Sequence, residues 1–395
     1  MGSILNFVFL DDILSPNGNG KFARQGPLNQ YIQKNKLSYT LNGQLKEGFK
    51  NILPIEIDEG GYSIRKIPVG LIQFINENDI KLLILGLPDP TGESTYKFSL
   101  RYLKSHGLNF DKLIYIDTNT KLSNIPTVSK HKIYTFDFFL EEATQNKNNF
   151  FRYENSLGYF SEQIELNELN NFRNKKFLCF NRSLDRAHRF VLLDEYIKGT
   201  FKNSYFSFLR PIDYATENVE FFKKYNNVEL SQETIELYNK SIPIELDTQY
   251  VDSKVDFNTS NTFKKNLFID SCVNLVTETA FVDNELFVSE KILKPILCYQ
   301  PFIVFGPHGY LKQIKKYGFK TFSSIWNEEY DDIENSIERM KSLISLVKSL
   351  NSKSIEELND IYKSTKEICI HNRNLFYDLE LDTLKVIFEE IQNEW

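Results

Sequence analysis

The sequence predicts an α/β protein of two Rossmann-like domains with a helical C-terminal tail. Three observations carry this. The 395 residues are too many for one ordinary core. Each half alternates short apolar runs with helical patterns, the mark of parallel sheets. From Asp332 almost to Trp395 the pattern is helical.

In the first half, ILNFVFL from Ile4, KLLILGL from Lys81 and KLIYID from Lys112 read as buried strands, with KHKIYTF from Lys130 a weaker one. Between them, Tyr96, Leu100 and Leu103 recur at helical spacing, which predicts a helix over Ser94 to Lys104. The polar stretch from Leu166 to Lys176 sets a boundary, giving domains over 1–170 and 171–370 and a tail over 371–395. The second domain opens on a strand, KFLCF from Lys176. A helix follows from near Asp185 that buries Phe190, Leu193 and Tyr196. Then come the strand SCVNLVTET, a helix from Ser289 to about Cys298, the strand PFIVFG and a helix starting near His308.

Composition narrows the function classes. The 47 basic and 53 acidic residues leave a net charge of −6, unlike the basic excess of a dedicated nucleic-acid binder. A local basic run remains, with Lys21, Arg24, Lys34, Lys36, Lys46 and Lys50 against Glu47. Cys179, Cys272, Cys298 and Cys369 form no short pair and three lie in apolar stretches, which fits a reducing, cytoplasmic setting. Five scattered histidines give no zinc pattern. The N-terminal apolar run is short, lacks a basic start and ends in two aspartates, so it reads as a strand rather than a leader. No window is apolar enough to span a bilayer.

The chemistry concentrates between Cys272 and Phe322. A strand delivers Glu278 at its end, and a loop with Asp283, Asn284 and Glu285 follows. Ser289 is placed to cap the next helix, with Glu290 and Lys291 in its first turn. Backbone N–H groups beside a lysine suit a diphosphate, and a neighbouring carboxylate suits the hydroxyls of a ribose. Pro295 allows the helix to start later than Ser289. A second cluster, FLCFNRSLDRAHR, turns from strand to helix and gathers Arg182, Arg186 and Arg189. Arginines at such a turn suit a phosphate, being always charged and fork-shaped. Arg189 is as well explained by pairing with Asp185 or Glu195, and His188 by packing.

The segment T-E-T-A, a short loop, then L-F-V-S-E-K resembles the donor-binding motif of the α1,3-fucosyltransferase family. It is also similar to glycosyltransferase-like proteins of large phages and bacteria. The resemblance covers about fifty residues and implies a two-domain GT-B architecture. It further implies that Glu290 meets the ribose and Lys291 the diphosphate of a nucleotide-sugar, with Phe287 beside the base, Glu278 at the earlier glutamate position, and Arg182 or Arg186 as counterpart of an arginine that contacts the donor phosphate. Thr279 stands where the family has asparagine, and Phe287 where it has tyrosine. The spacing of Glu278 and Glu285 falls one residue short of the E-x7-E pair of retaining GT-B enzymes.

Transfer to a hydroxyl needs a base. GLPDPTGE offers Asp89 and Glu93, the two catalytic candidates; IEIDEGGY offers Glu56, Asp58 and Glu59. The leading expectation is a glycosyltransferase, independent of metal or other cofactor, moving sugar from a nucleotide-sugar to a carbohydrate or other hydroxyl acceptor. One alternative is a phage-type enzyme acting on hydroxylated bases of DNA. Another is a non-catalytic nucleotide- or carbohydrate-binding protein in the same shell.

Overall fold

A computed structural model describes residues 5–10, 28, 32, 35–40, 43–57, 62–86, 91–125, 131–145, 152–153, 164–182, 184, 186–209, 216–229, 231–246, 262–263, 265–282 and 285–394. The chain forms two compact units. One takes Met1–Glu142, Asn284–Phe287 and Leu381–Trp395; the other takes Ala143–Asp283 and Val288–Glu380.

The first unit holds a six-stranded sheet of β1 (Leu5–Val8), β2 (Ser38–Thr40), β3 (Lys50–Glu56), β4 (Ile80–Gly86), β5 (Leu113–Asp117) and β6 (Lys132–Thr135), in the order β2-β1-β3-β4-β5-β6. Every pairing is parallel. Parallel neighbours require crossovers, and the helices Val69–Glu77 and Glu93–Ser105 supply two of them. Because both faces of such a sheet are covered, its strands are apolar on both. In β4, Leu83 and Leu85 join one core cluster while Leu82 and Ile84 join the other. The last helix, Thr383–Asn393, adds Leu384, Ile387, Phe388 and Ile391 to the first cluster. Its N-terminus is tied down by Glu141, whose carboxylate accepts from Thr383 N (2.8 Å) and Leu384 N (3.1 Å).

β3 carries no clear strand signal, because Pro54 interrupts it and Glu56 ends it. The proline is accommodated because β1 pairs only with Lys50 to Ile52, so Pro54 lies beyond that ladder.

The second unit pairs β7 (Arg152–Tyr153) with β10 (Thr262–Phe263). Its main sheet contains β8 (Lys175–Asn181), β9 (Tyr205–Phe208), β11 (Ser271–Thr277) and β12 (Phe302–Phe305), in the order β12-β11-β8-β9 and parallel throughout. The helix after β8 runs Ala187–Ile197 and that after β12 runs Tyr310–Lys316. Helices Ser336–Asn351, Ile355–Ser364 and Lys366–Asp378 follow, as the periodicity from Asp332 predicts. Arg173, wholly buried, fastens one end of the sheet: its guanidinium donates to the carbonyls of Phe268 and Ser271 (2.7 Å for the latter) and to Tyr362 Oη.

One expected element is corrected. The helix drawn from Ser289 to about Cys298 spans only Leu293–Leu297. Pro295 lacks the N–H an earlier turn would need.

Candidate functional site

In the main sheet of the second unit, the chain runs from β8 outward to β9 and then returns to the other side of β8 as β11. The strand order therefore reverses between β8 and β11. Ligands of open α/β sheets bind at the carboxyl ends of such strands. Here those ends carry Asn181 and Arg182 on β8, and Thr277 and Glu278 on β11. They are stitched together, since Thr277 Oγ1 lies 2.9 Å from Asn181 Oδ1 and 3.1 Å from the Phe180 carbonyl.

Glu278 organises the next loop. It is wholly buried, and its two oxygens accept from Ser289 Oγ (2.5 Å) and Tyr310 Oη (2.6 Å). Burial raises its proton affinity, while nearby Lys291 and the two hydroxyl bonds oppose the rise. Ser289 Oγ in turn accepts from the Lys291 backbone N–H (3.2 Å). The Ser289 oxygen thus still caps a turn, which leads into the helix Leu293–Leu297. Lys291 Nζ sits 3.2 Å from Glu290 Oε1 and 3.4 Å from Thr279 Oγ1. The lysine side chain is 30% exposed and that of Glu290 only 7%. This leaves a half-exposed cation backed by a buried carboxylate, in reach of solvent at the sheet's carboxyl edge.

Arg182 directly follows β8, and Arg186 precedes the helix Ala187–Ile197 as its N-cap residue; both are half-buried. Arg189 is buried and donates to the carbonyls of Thr277 (3.2 Å) and Glu278 (3.1 Å). It braces the end of β11; Asp185, one of its two expected partners, lies outside the described residues. His188 packs as expected: it stacks on Phe281 and its Nε2 donates to the Glu278 carbonyl (2.9 Å). Burial and the charge of Arg189 hold its imidazole well below the usual range. Phe180, Phe268, Lys291, Lys294 and Pro295 line, with Asn274 to Thr277, a cavity of about 40 Å³. That volume admits water-sized guests and no nucleotide.

Glu278, Ser289, Glu290 and Lys291 therefore converge. Phe287 is counted with the first unit, where it is buried with its ring 6.5 Å from that of Phe139. Glu285 also lies in the first unit, close enough to Gly92 that a Cβ there would come within 2.8 Å of its Oε1. Of the catalytic candidates, Asp89 lies outside the described residues, as do Asp58 and Glu59. Glu93 opens the helix Glu93–Ser105 at the surface and forms an ion pair with Lys97. In the basic run, Lys21, Arg24 and Lys34 lie outside the described residues, Lys36 is exposed, Lys46 Nζ donates to Ser38 Oγ (2.8 Å), and Lys50 Nζ donates to the Gln392 carbonyl.

The carboxyl edge of the first sheet holds two buried acids. Asp117 Oδ1 accepts from the N–H of Thr91 (3.1 Å) and of Asn119 (2.7 Å), yet full burial pushes its carboxyl up to about 8. A Cβ on Gly86 would stand 2.0 Å from Asp117 Oδ2 and 2.3 Å from Thr91 Oγ1. Gly86→Ala is therefore expected to lower stability by about 1–3 kcal/mol, read as an earlier thermal transition; an unchanged melting temperature would contradict the packing at this edge. Glu56 is 6% exposed, and burial alone pushes its carboxyl up to about 7. Neither of its oxygens has a hydrogen-bond partner.

No family model matches the chain, and no curated protein matches it. Solved structures give distant likenesses. An α,α-trehalose-phosphate synthase (UDP-forming) from Burkholderia vietnamiensis is 10% identical, with 87% of this chain and 75% of that chain covered at a TM-score of 0.36. An α,α-trehalose 6-phosphate synthase from Burkholderia multivorans is 9% identical, with coverage of 87% and 71% at a TM-score of 0.35. At these values the likeness carries no argument about chemistry. No helix among the described residues is long and apolar enough to cross a membrane.

Proposed function

We propose that the chain is a glycosyltransferase that moves a sugar from a nucleotide-sugar to an acceptor hydroxyl, with the donor held by the second unit. The observation that carries this reading is the reversal of strand order between β8 and β11, with Arg182 and Arg186 following one strand and the Glu278–Ser289–Lys291 cluster the other. A diphosphate needs fixed cations, and here they flank the place where α/β sheets take ligands. In this reading Lys291 and one of the two arginines hold the diphosphate, and Glu290 accepts from the ribose hydroxyls. Glu278 holds the loop, because both its oxygens are already occupied.

The motif shared with the fucosyltransferase family supports the same assignment of Glu290 and Lys291. Phe287 remains the candidate for the contact beside the base. Asp89 and Glu93 remain candidates for the acceptor side.

The charge of the departing diphosphate is met by side chains in this proposal, so turnover of a nucleotide-sugar is expected to survive EDTA. The test measures binding of UDP, GDP and dTDP by calorimetry and then consumption of their sugars with and without EDTA. Absence of binding by all three defeats the reading. Loss of turnover in EDTA that Mn²⁺ restores defeats its metal-independent form.

A further inference from the structure

We propose that Glu56, at the carboxyl end of β3 in the first sheet, receives the acceptor hydroxyl and takes its proton during transfer; the proposal rests on the glycosyltransferase reading.

Glu56 stands apart from the other buried acids. Glu141, Asp194, Glu195, Glu278, Glu328 and Asp331 each accept hydrogen bonds from named donors. Glu56 is equally buried and accepts none. A buried polar group without a partner is uncommon because it loses its water without compensation. Such a group is explained when a ligand supplies the missing donor. Its location agrees. The chain leaves β1 for β2 on one side and returns as β3 on the other, so the strand order reverses between β1 and β3. Glu56 is the last residue of β3, at the carboxyl end of that reversal, where ligands bind. On its face of the sheet it lies in register with Leu85 of β4, and Leu85 with Ile116 of β5, both core residues. Among the described residues no charged group contributes to its raised proton affinity, which comes from burial.

A carboxyl in an apolar setting with no fixed cation suits an uncharged donor such as a sugar-type hydroxyl. Held near neutrality, it is poised to accept a proton at physiological pH. In the step, the acceptor oxygen forms a bond to the anomeric carbon of the donor. The bond from that carbon to the diphosphate oxygen breaks, and its electron pair leaves with the nucleoside diphosphate. The hydroxyl proton passes to the Glu56 carboxylate and then to water.

The experiment compares wild type, Glu56→Gln and Glu56→Asp. Donor affinity is measured by calorimetry, and turnover of UDP-, GDP- and dTDP-sugars is followed from pH 5 to 9 with methyl hexosides, or water, as acceptor. Wild-type turnover is expected to rise with pH and level off above about 7, as a base of this kind requires. Glu56→Gln should bind donor within twofold of wild type and lose at least a hundredfold in turnover, with no rising limb. Glu56→Asp should keep the limb at reduced rate.

Melting curves supply a readout that needs no turnover. A carboxylate whose proton affinity rises on folding adds stability below its unfolded value, 4.5, and loses it as pH climbs to about 7. Glu56→Gln should therefore melt later than wild type at pH 8 and not at pH 4. Asp117 adds a similar slope that the variant keeps.

Donor binding with wild-type turnover in Glu56→Gln overturns this assignment alone. So does an unfolded Glu56→Gln beside a Glu56→Asp lacking the limb, whereas a wild-type chain that binds donors and consumes none overturns the glycosyltransferase reading as well. A wild-type chain that binds no nucleotide overturns the functional reading and this assignment with it.

Discussion

Glu278→Ala is expected to unfold far more readily than wild type, with the loss centred on the second unit. The Glu278 carboxylate accepts from the hydroxyls of Ser289 and Tyr310 at 2.5 and 2.6 Å, in a wholly buried setting. Truncation strands both hydroxyls without an acceptor and leaves a space where the side chain stood. Each stranded group costs about 1–3 kcal/mol, so the two together cost roughly 2–6 kcal/mol. In a unit of this size the melting temperature falls on the order of 10 °C. Glu278→Gln should lose less, since the amide oxygen still serves one hydroxyl and the other can turn to accept. Thermal melts and urea titrations of the three proteins decide it. Equal melting of Glu278→Ala and wild type would mean that the glutamate does not hold this loop. The prediction also separates scaffold from ligand contact: a variant that stays folded yet loses donor binding would move Glu278 from the loop's support to the ligand.

The second large effect is expected at Lys291. Lys291→Ala should weaken binding of a nucleoside diphosphate by about 1.5–3 kcal/mol, roughly 10- to 150-fold in Kd, and leave binding of the free nucleoside nearly unchanged. The ammonium is the charge that the phosphates meet, and the nucleoside has none to offer it. The structure makes the loss steeper than that of an ordinary surface lysine. Glu290 lies 3.2 Å from Nζ and is buried, so removing the cation leaves a negative carboxylate facing the phosphates. Calorimetry with UDP or GDP against uridine or guanosine reads the difference. Equal weakening of nucleotide and nucleoside would show that Lys291 does not face the phosphates.

Much of the architecture was legible because parallel sheets bury both faces of their strands. β4, β5, β8, β11 and β12 are built on mostly apolar runs, and such runs need no partner to be recognised. The helices after Asp332 were legible from periodicity alone. β3 was not: it holds a proline and a glutamate, tolerable only because β1 ends early and because Glu56 closes the strand. The start of the helix after Ser289 was not legible, since a serine that caps a turn looks the same whether the helix begins at once or, as here, at Leu293.

The sequence by itself determined the α/β class, the apolar strands, and the local grouping of Ser289, Glu290 and Lys291. These depend on residues near one another in the chain, where spacing translates directly into geometry. Only the tertiary structure decided that Glu278 is committed to Ser289 and to Tyr310, 32 positions away. It alone placed Phe287 in the first unit, made Arg189 a brace for β11, and left Glu56 buried without a donor. Burial and hydrogen-bond partnership are set by which strands lie side by side, and strand order is a property of the whole sheet that no local pattern of residues encodes.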